Sequence, residues 1–288
     1  MILENRVSHY EGQFEPRAGV SLFEQWWLPA DEMQAMVVIV HGLAEHSGRY
    51  THVAEYFCQR GYAIGIFDLF GHGKSGGKRS YIQSFDLLMD DMEKFVERAR
   101  GRAQGKDLFL LGHSMGGGIV TRFLIDRDLD GIRGAILSAP MVAVGSSIPP
   151  LLIKASKILG ALAPNLPVLK LDHSTVSRDP QVVEKYDTDP LNYRGKLQAR
   201  TGAEINRFLQ YIQANMHRIT LPLLIMQGSE DRLVDPSGSR LLYEKAASQD
   251  KTLKIYEGLY HEILNEPEKE QVMDDMIAWI AARQSSNQ

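Results

Sequence analysis

The chain has 288 residues, 44% of them hydrophobic and 24% charged, a balance that excludes a disordered or fibrous polymer and allows one sizeable core, with or without an insertion. Its 32 basic and 36 acidic residues give a net charge of -4 with no basic block able to track a phosphate backbone, so nucleic acid is not an expected partner. Cys58 is the only cysteine, which excludes an intrachain disulfide, and its spacing with Tyr50 and Ala54 marks a small core residue of a helix rather than a reactive thiol.

Met1 to Gln13 carries Glu4, Arg6, His9 and Glu11 and no apolar run, so it is unlike a secretory signal and a cytoplasmic protein is expected. No stretch reaches the roughly eighteen consecutive apolar residues of a spanning helix. Contact with a membrane surface stays open.

Ala35 to Val40 is a short β-branched run, followed by Tyr50, Val53, Ala54 and Phe57 at helical spacing until Gly61. The unit recurs: Tyr62 to Phe67 precedes a helix with Phe85, Leu88, Met92 and Phe95, and Leu108 to Leu111 precedes Ile119 to Leu124. Leu221 to Met226 precedes Leu241 to Ala247 in the same way. Alternation of this kind predicts a mostly parallel sheet with helices on both faces, an α/β fold. Leu253 and Ile255 mark a further strand, and Val272, Met273, Met276, Ile277 and Ile280 a last amphipathic helix with Pro267 near its first turn.

One stretch breaks the rhythm. After the strand Gly134 to Ser138, the next strand-like run waits until Leu221, and the interval opens with Pro140, Pro149 and Pro150. Residues 140–220 are therefore expected to form a helical cap inserted between a first core part, 1–139, and a second, 221–288. Leu151 to Leu162 gives that cap a helix with a wide apolar face, which either packs onto the main domain or forms a lipid entrance touching a membrane surface.

Gly112-His113-Ser114-Met115-Gly116 matches G-x-S-x-G between a strand and a helix. A strand turning sharply into a helix strains the serine backbone and tolerates only small residues two places to either side. Ser114 is the candidate nucleophile, and the N–H of Met115, at a helix N-terminus, half of an oxyanion hole. A serine alcohol needs a base and an orienting acid, here in the chain order Ser, Asp, His.

Asp231 lies in the loop after the strand Leu221 to Met226, where catalytic residues of open α/β sheets collect. Asp235 precedes Pro236 and a helical pattern, which suits an N-cap, and Glu230 ranks behind both. Of the nine histidines only His261 follows the candidate acid, so it is the expected base. The second oxyanion donor is expected from the loop starting at His41, with Leu43 N–H as donor and His41 and Gly42 structural.

Gly71 to Gly76 also matches G-x-G-x-x-G, but Gly77-Lys78-Arg79-Ser80 prolongs the loop where a phosphate-binding helix should open. His41, His46 and His52 lack the spacing of a metal site, and no metal or cofactor is expected.

With these residues placed, the chain resembles the monoacylglycerol lipases, serine enzymes of the α/β-hydrolase fold, from about Val38 to about Trp279. The likeness rests on His41 to Tyr50 (HGLAEHSGRY), the elbow Gly112 to Gly117, Tyr186 to Leu191 (YDTDPL) and Ser248 to Gly258 (SQDKTLKIYEG). It implies a cap over an apolar acyl tunnel, a lipid ester as substrate, no cofactor and a polar pocket for the glycerol leaving group. Glu45 and Arg49 match positions that contact glycerol in the family, and their four-residue spacing equally suits an ion pair. The chain departs from the mammalian enzyme at Leu264, where a histidine helps hold glycerol, and at Val234, where a cysteine stands. A lysophospholipase, a broad carboxylesterase and a hydrolase-fold binding protein without turnover are the competing expectations.

Overall fold

Ser8–Arg17 and Val20–Leu28 pair as an antiparallel hairpin, strands β1 and β2, which the expected alternation of strand and helix did not include. Strand β2 carries Glu24 and Gln25 at its centre, and burying them demands partners from elsewhere in the chain. Arg98 donates two hydrogen bonds to Glu24, at 2.9 and 2.6 Å, and Gln25 donates to Ser47 Oγ at 2.6 Å. With those groups satisfied, Trp26 stacks on Phe95 at 4.8 Å and Trp27 on His9 at 4.4 Å.

The structure is a computed structural model that describes residues 7–143 and 157–285. Beyond the hairpin the parallel strands follow in turn: β3 (Ala35–Val40), β4 (Tyr62–Phe67), β5 (Leu108–His113) and β6 (Ile132–Ser138). A short antiparallel pair, β7 (Pro167–Leu169) and β8 (Leu197–Gln198), stands apart, and β9 (Leu223–Gly228) and β10 (Lys251–Tyr256) complete the main sheet. Its order is β1-β2-β4-β3-β5-β6-β9-β10, parallel from β4 onward.

Side chains of β3 show why the sheet needs cover on both sides: Met36, Val38 and Val40 enter one core, Val37 and Ile39 the other. Helices α1 (Thr51–Cys58) and α7 (Lys269–Ala281) close the second, with Val53, Phe57, Met276 and Ile280 buried in it. Cys58 lies in the same core, and burial pushes its thiol up to about 12. Helices α2 (Phe85–Ala103), α3 (Met115–Asp126) and α6 (Pro236–Lys245) close the first.

Between β6 and β9 the chain forms α4 (Pro180–Thr188) and α5 (Ala199–Asn215). Helix α5 belongs to the main body: Phe208, Leu209 and Ile212 enter the first core, and Phe208 stacks on Phe85 at 3.8 Å. Of the apolar stretch Leu151 to Leu162, residues 151–156 lie outside the described residues, and Ile158 and Leu162 are 63% and 82% exposed. Among the described residues no helix is long and apolar enough to cross a membrane.

Candidate active site

Strand β5 ends at His113, and α3 begins at Met115, leaving one residue to make the turn. Ser114 makes it with φ 54° and ψ -119°, in backbone space that a residue bearing a Cβ rarely occupies. Such strain persists only where the surroundings over-determine it, and here they do. Ser114 N–H donates to Ser138 O at 2.9 Å, and its carbonyl accepts from Gly118 and Met141 at 3.1 and 2.9 Å. Close packing fixes the neighbouring glycine as well: a Cβ on Gly116 would stand 2.0 Å from Val40 O.

His261 Nε2 lies 2.9 Å from Ser114 Oγ, and Nδ1 lies 2.7 Å from Asp231 Oδ2. The carboxylate can only accept, so Nδ1 carries the proton and Nε2 is left to accept from the serine hydroxyl. Two loops bring these groups together and are stitched to each other: Ser229 N–H donates to Tyr256 O at 2.9 Å and Glu230 N–H to Leu259 O at 3.0 Å. Asp235 stands outside this chain and caps α6, accepting from Ser237 N–H at 2.9 Å. Glu230 is engaged through its backbone, in the loop contact just described.

The electrostatics favour a strong base. Burial disfavours the His261 imidazolium, but Asp231, aided by Glu262 and Glu45, outweighs it and raises the pKa above the ordinary histidine value. Burial likewise works against the Asp231 carboxylate, yet the His261 charge and the N–H donors of Val234 and Leu233 hold it below its usual range. His113, whose ring is 4.8 Å from that of His261, is depressed to about 4 by burial and by its neighbour's charge.

The loop after β3 approaches the serine from the other side. Gly42 has no room for a side chain: a Cβ there would lie 2.7 Å from Glu45 Oε1 and 3.2 Å from Ser114 Cβ. Its N–H donates to Glu45 Oε1 at 2.6 Å, leaving Leu43 as the next donor along the loop. His41 shapes the loop by donating to Gly42 O at 2.8 Å and accepting from Leu69 N–H at 3.0 Å. The stretch between β6 and β9 braces it too, because Ala44 O accepts from Tyr193 N–H at 2.9 Å and Tyr186 OH at 3.2 Å.

Glu45 and Arg49 form the ion pair that their four-residue spacing suits, at 2.7 Å. Arg49 also grips Glu262 with two hydrogen bonds of 2.7 Å and lies 4.7 Å from the centre of the Tyr186 ring. One guanidinium thus offsets two buried carboxylates. Burial opposes the Glu45 charge, but Arg49 overrides it and brings the pKa down to about 2.

Ser114, His261, Glu45 and Leu43 line a common pocket. Glu262 lines it as well, whereas Leu264 lies in the hydrophobic core and borders a small hollow beside Arg49 and His52. Glu262 and Gln227 escaped the sequence reading: one directly follows the base and looks like a surface residue of its loop, and the other interrupts a buried apolar strand. A polar residue inside such a strand, just ahead of the acid's loop, was the available signal.

The remaining histidines of the first loops have separate tasks. His46 Nε2 meets Asp189 of the YDTDPL stretch at 2.9 Å, and His52 donates to Leu264 O at 2.9 Å. No helix opens at Gly76; the loop wraps instead around Asp68, which accepts from the N–H groups of Ser47 and Lys74 at 2.7 Å each.

A family model described as "Serine aminopeptidase, S33" matches residues 31–268. The monoacylglycerol lipase of Mycolicibacterium smegmatis is 40% identical over 283 residues, 98% of this chain and 99% of that one. Phospholipase YtpA of Bacillus subtilis is 35% identical over 251 residues, 86% and 95% of the two chains. The crystal structure of Paleococcus ferrophilus monoacylglycerol lipase superposes with a TM-score of 0.80 at 31% identity, over 96% of this chain and 99% of that one.

Proposed function

The chain belongs to the serine α/β-hydrolases, in the family of the serine aminopeptidase S33 model, and on that premise we propose that it hydrolyses monoacylglycerols through an acyl-enzyme on Ser114. The observation that carries this reading is the unbroken hydrogen-bond chain from Ser114 through His261 to Asp231 at the wall of the pocket. Nε2 of His261 takes the hydroxyl proton as Oγ attacks the ester carbonyl, and the N–H groups of Leu43 and Met115 receive the negative charge on its oxygen. His261 then protonates the departing alcohol. A water molecule, deprotonated by the same nitrogen, attacks the acyl carbon and releases the fatty acid while Ser114 regains its proton.

The pocket supports a substrate with one apolar and one hydroxylated side. Leu43, Met141, Leu171 and Val176 contribute apolar wall, and Glu45, Tyr186 and Glu262 contribute polar wall. The stretch 140–220, apart from α5, acts in this reading as the cap, and its exposed Ile158, Leu162 and Leu166 suit transient contact of a cytoplasmic protein with a lipid surface. The Bacillus subtilis relative favours a second reading, hydrolysis of a lysophospholipid at the same site.

A panel of mono-, di- and triacylglycerols, lysophosphatidylcholine and simple alkyl esters, each below its aggregation limit, tests the substrate. Burial is worth about 0.8 kcal/mol per methylene, so kcat/KM rises with acyl length until the pocket is filled, and falls for the bulkier di- and triacylglycerols. A higher kcat/KM on lysophosphatidylcholine than on monoacylglycerol selects the second reading. Equal rates on mono- and triacylglycerols, or a steady fall from acetyl to lauroyl esters, contradict a pocket for one chain.

A further inference from the structure

The acid of the proposed triad is held by more than the base. Asp231 Oδ1 accepts from the backbone N–H groups of Leu233 and Val234 at 2.8 and 2.9 Å. Oδ2 accepts from His261 and, at 2.8 Å, from the side-chain amide of Gln227, a fully buried residue of β9. Four donors therefore fill the roughly four acceptor positions of one carboxylate.

The orientation of the Gln227 amide follows by elimination. An ionised Asp231 cannot donate, so the amide must turn its nitrogen toward Oδ2. Its oxygen then points at Ser239 Oγ, 2.8 Å away in the first turns of α6, and the serine hydroxyl must donate to it. Ser239 is fully buried as well, and a flipped amide would set its oxygen against Asp231 Oδ2, two acceptors with no proton between them. The relay Ser239 to Gln227 to Asp231 has one permitted polarity.

We propose that Gln227, oriented by Ser239, is a positioning residue that sets the basicity of His261 by sharing the negative charge of Asp231. The proposal rests on the triad reading above. Because the two backbone donors on Oδ1 already fix the carboxylate in place, losing the amide does not release Asp231. It leaves more negative charge on Oδ2, which binds the imidazolium proton more tightly, so His261 deprotonates at higher pH. The other charges facing the His261 ring stay as they were: Glu262 beside it, Glu45 from the loop after β3 with Arg49 between the two carboxylates, and His113 from β5. A purely structural role for Gln227 would lower stability or activity at every pH alike.

The test compares wild type with Gln227→Met, which keeps the volume and removes the amide, and with Ser239→Ala, which removes only the orienting hydroxyl. The readout is the ratio of kcat/KM at pH 6 to that at pH 8.5 on a soluble monoacylglycerol, with the rate of fluorophosphonate labelling at the same two values. The ratio is expected to fall about three- to tenfold in Gln227→Met and about twofold in Ser239→Ala, since each tenfold corresponds to one unit in the base. If Gln227→Met fails to fold, Ser239→Ala carries the test alone. A ratio that is unchanged or higher in a folded variant overturns the proposal. Wild type that takes no label on Ser114 would instead remove the triad reading, and the two failures are thereby told apart.

Discussion

His261 Nδ1 meets Asp231 Oδ2 at 2.7 Å, while Asp235, four residues further on, closes the N-terminus of α6. Two aspartates of one loop thus carry different duties, and substitution separates them. Asp231→Asn presents an amide where the imidazole needs an acceptor, and kcat should fall by about three to four orders of magnitude with the fold retained. Asp235→Ala should cost about 1 kcal/mol of stability as a lost cap, with kcat little changed. Steady-state kinetics and thermal unfolding of both variants decide the assignment, and a large kinetic loss at Asp235 with little at Asp231 would reverse it.

The pH dependence follows from the sign of the shift on the base. In the proposed mechanism His261 acts as the neutral imidazole, and its charged surroundings raise its pKa above the ordinary 6.5. The acid limb of kcat/KM should therefore lie above that value, with activity lost as pH falls through it. Asp231 is the largest raising influence, so in Asp231→Asn the limb of the residual activity should move down. A limb that stays in place in this variant would show that Asp231 does not set it.

Gly42 offers a test of the proposed oxyanion loop without substituting a member of the proposed triad. An added methyl would crowd Glu45 Oε1 and Ser114 Cβ, so the loop must shift and carry Leu43 N–H with it. Loss of one oxyanion donor costs about two to three orders of magnitude in kcat, and Gly42→Ala should approach the lower end of that range with KM changed much less. Full activity in a folded Gly42→Ala would mean that the donor lies elsewhere.

Local features carried much of this picture. The strand–serine–helix elbow and the loop after β9 each sit at the end of an apolar run, where periodicity and turn chemistry point, and chain order singles out His261 as the one histidine after Asp231. What stayed hidden depends on pairing across long distances. Strand β2 looks interrupted at Glu24 and Gln25 until Arg98 and Ser47 are brought beside them. Helix α5 reads as cap by position, yet its Phe208 completes the main core against Phe85. Gln227 and Glu262 acquire meaning only from Ser239, Asp231 and Arg49, residues that adjacency in the chain does not associate with them.

The central claim is that Ser114 carries the acyl group, and mass spectrometry of the intact protein and its peptides tests it most directly. Wild type treated with a fluorophosphonate should gain one adduct, located on the peptide containing Ser114, and lose its hydrolysis of monoacylglycerol in step with labelling. Ser114→Ala, with an unchanged unfolding temperature, should take no adduct and retain only a trace of activity. Labelling of another residue, or a Ser114→Ala protein that still hydrolyses monoacylglycerol at a substantial rate, would contradict the account.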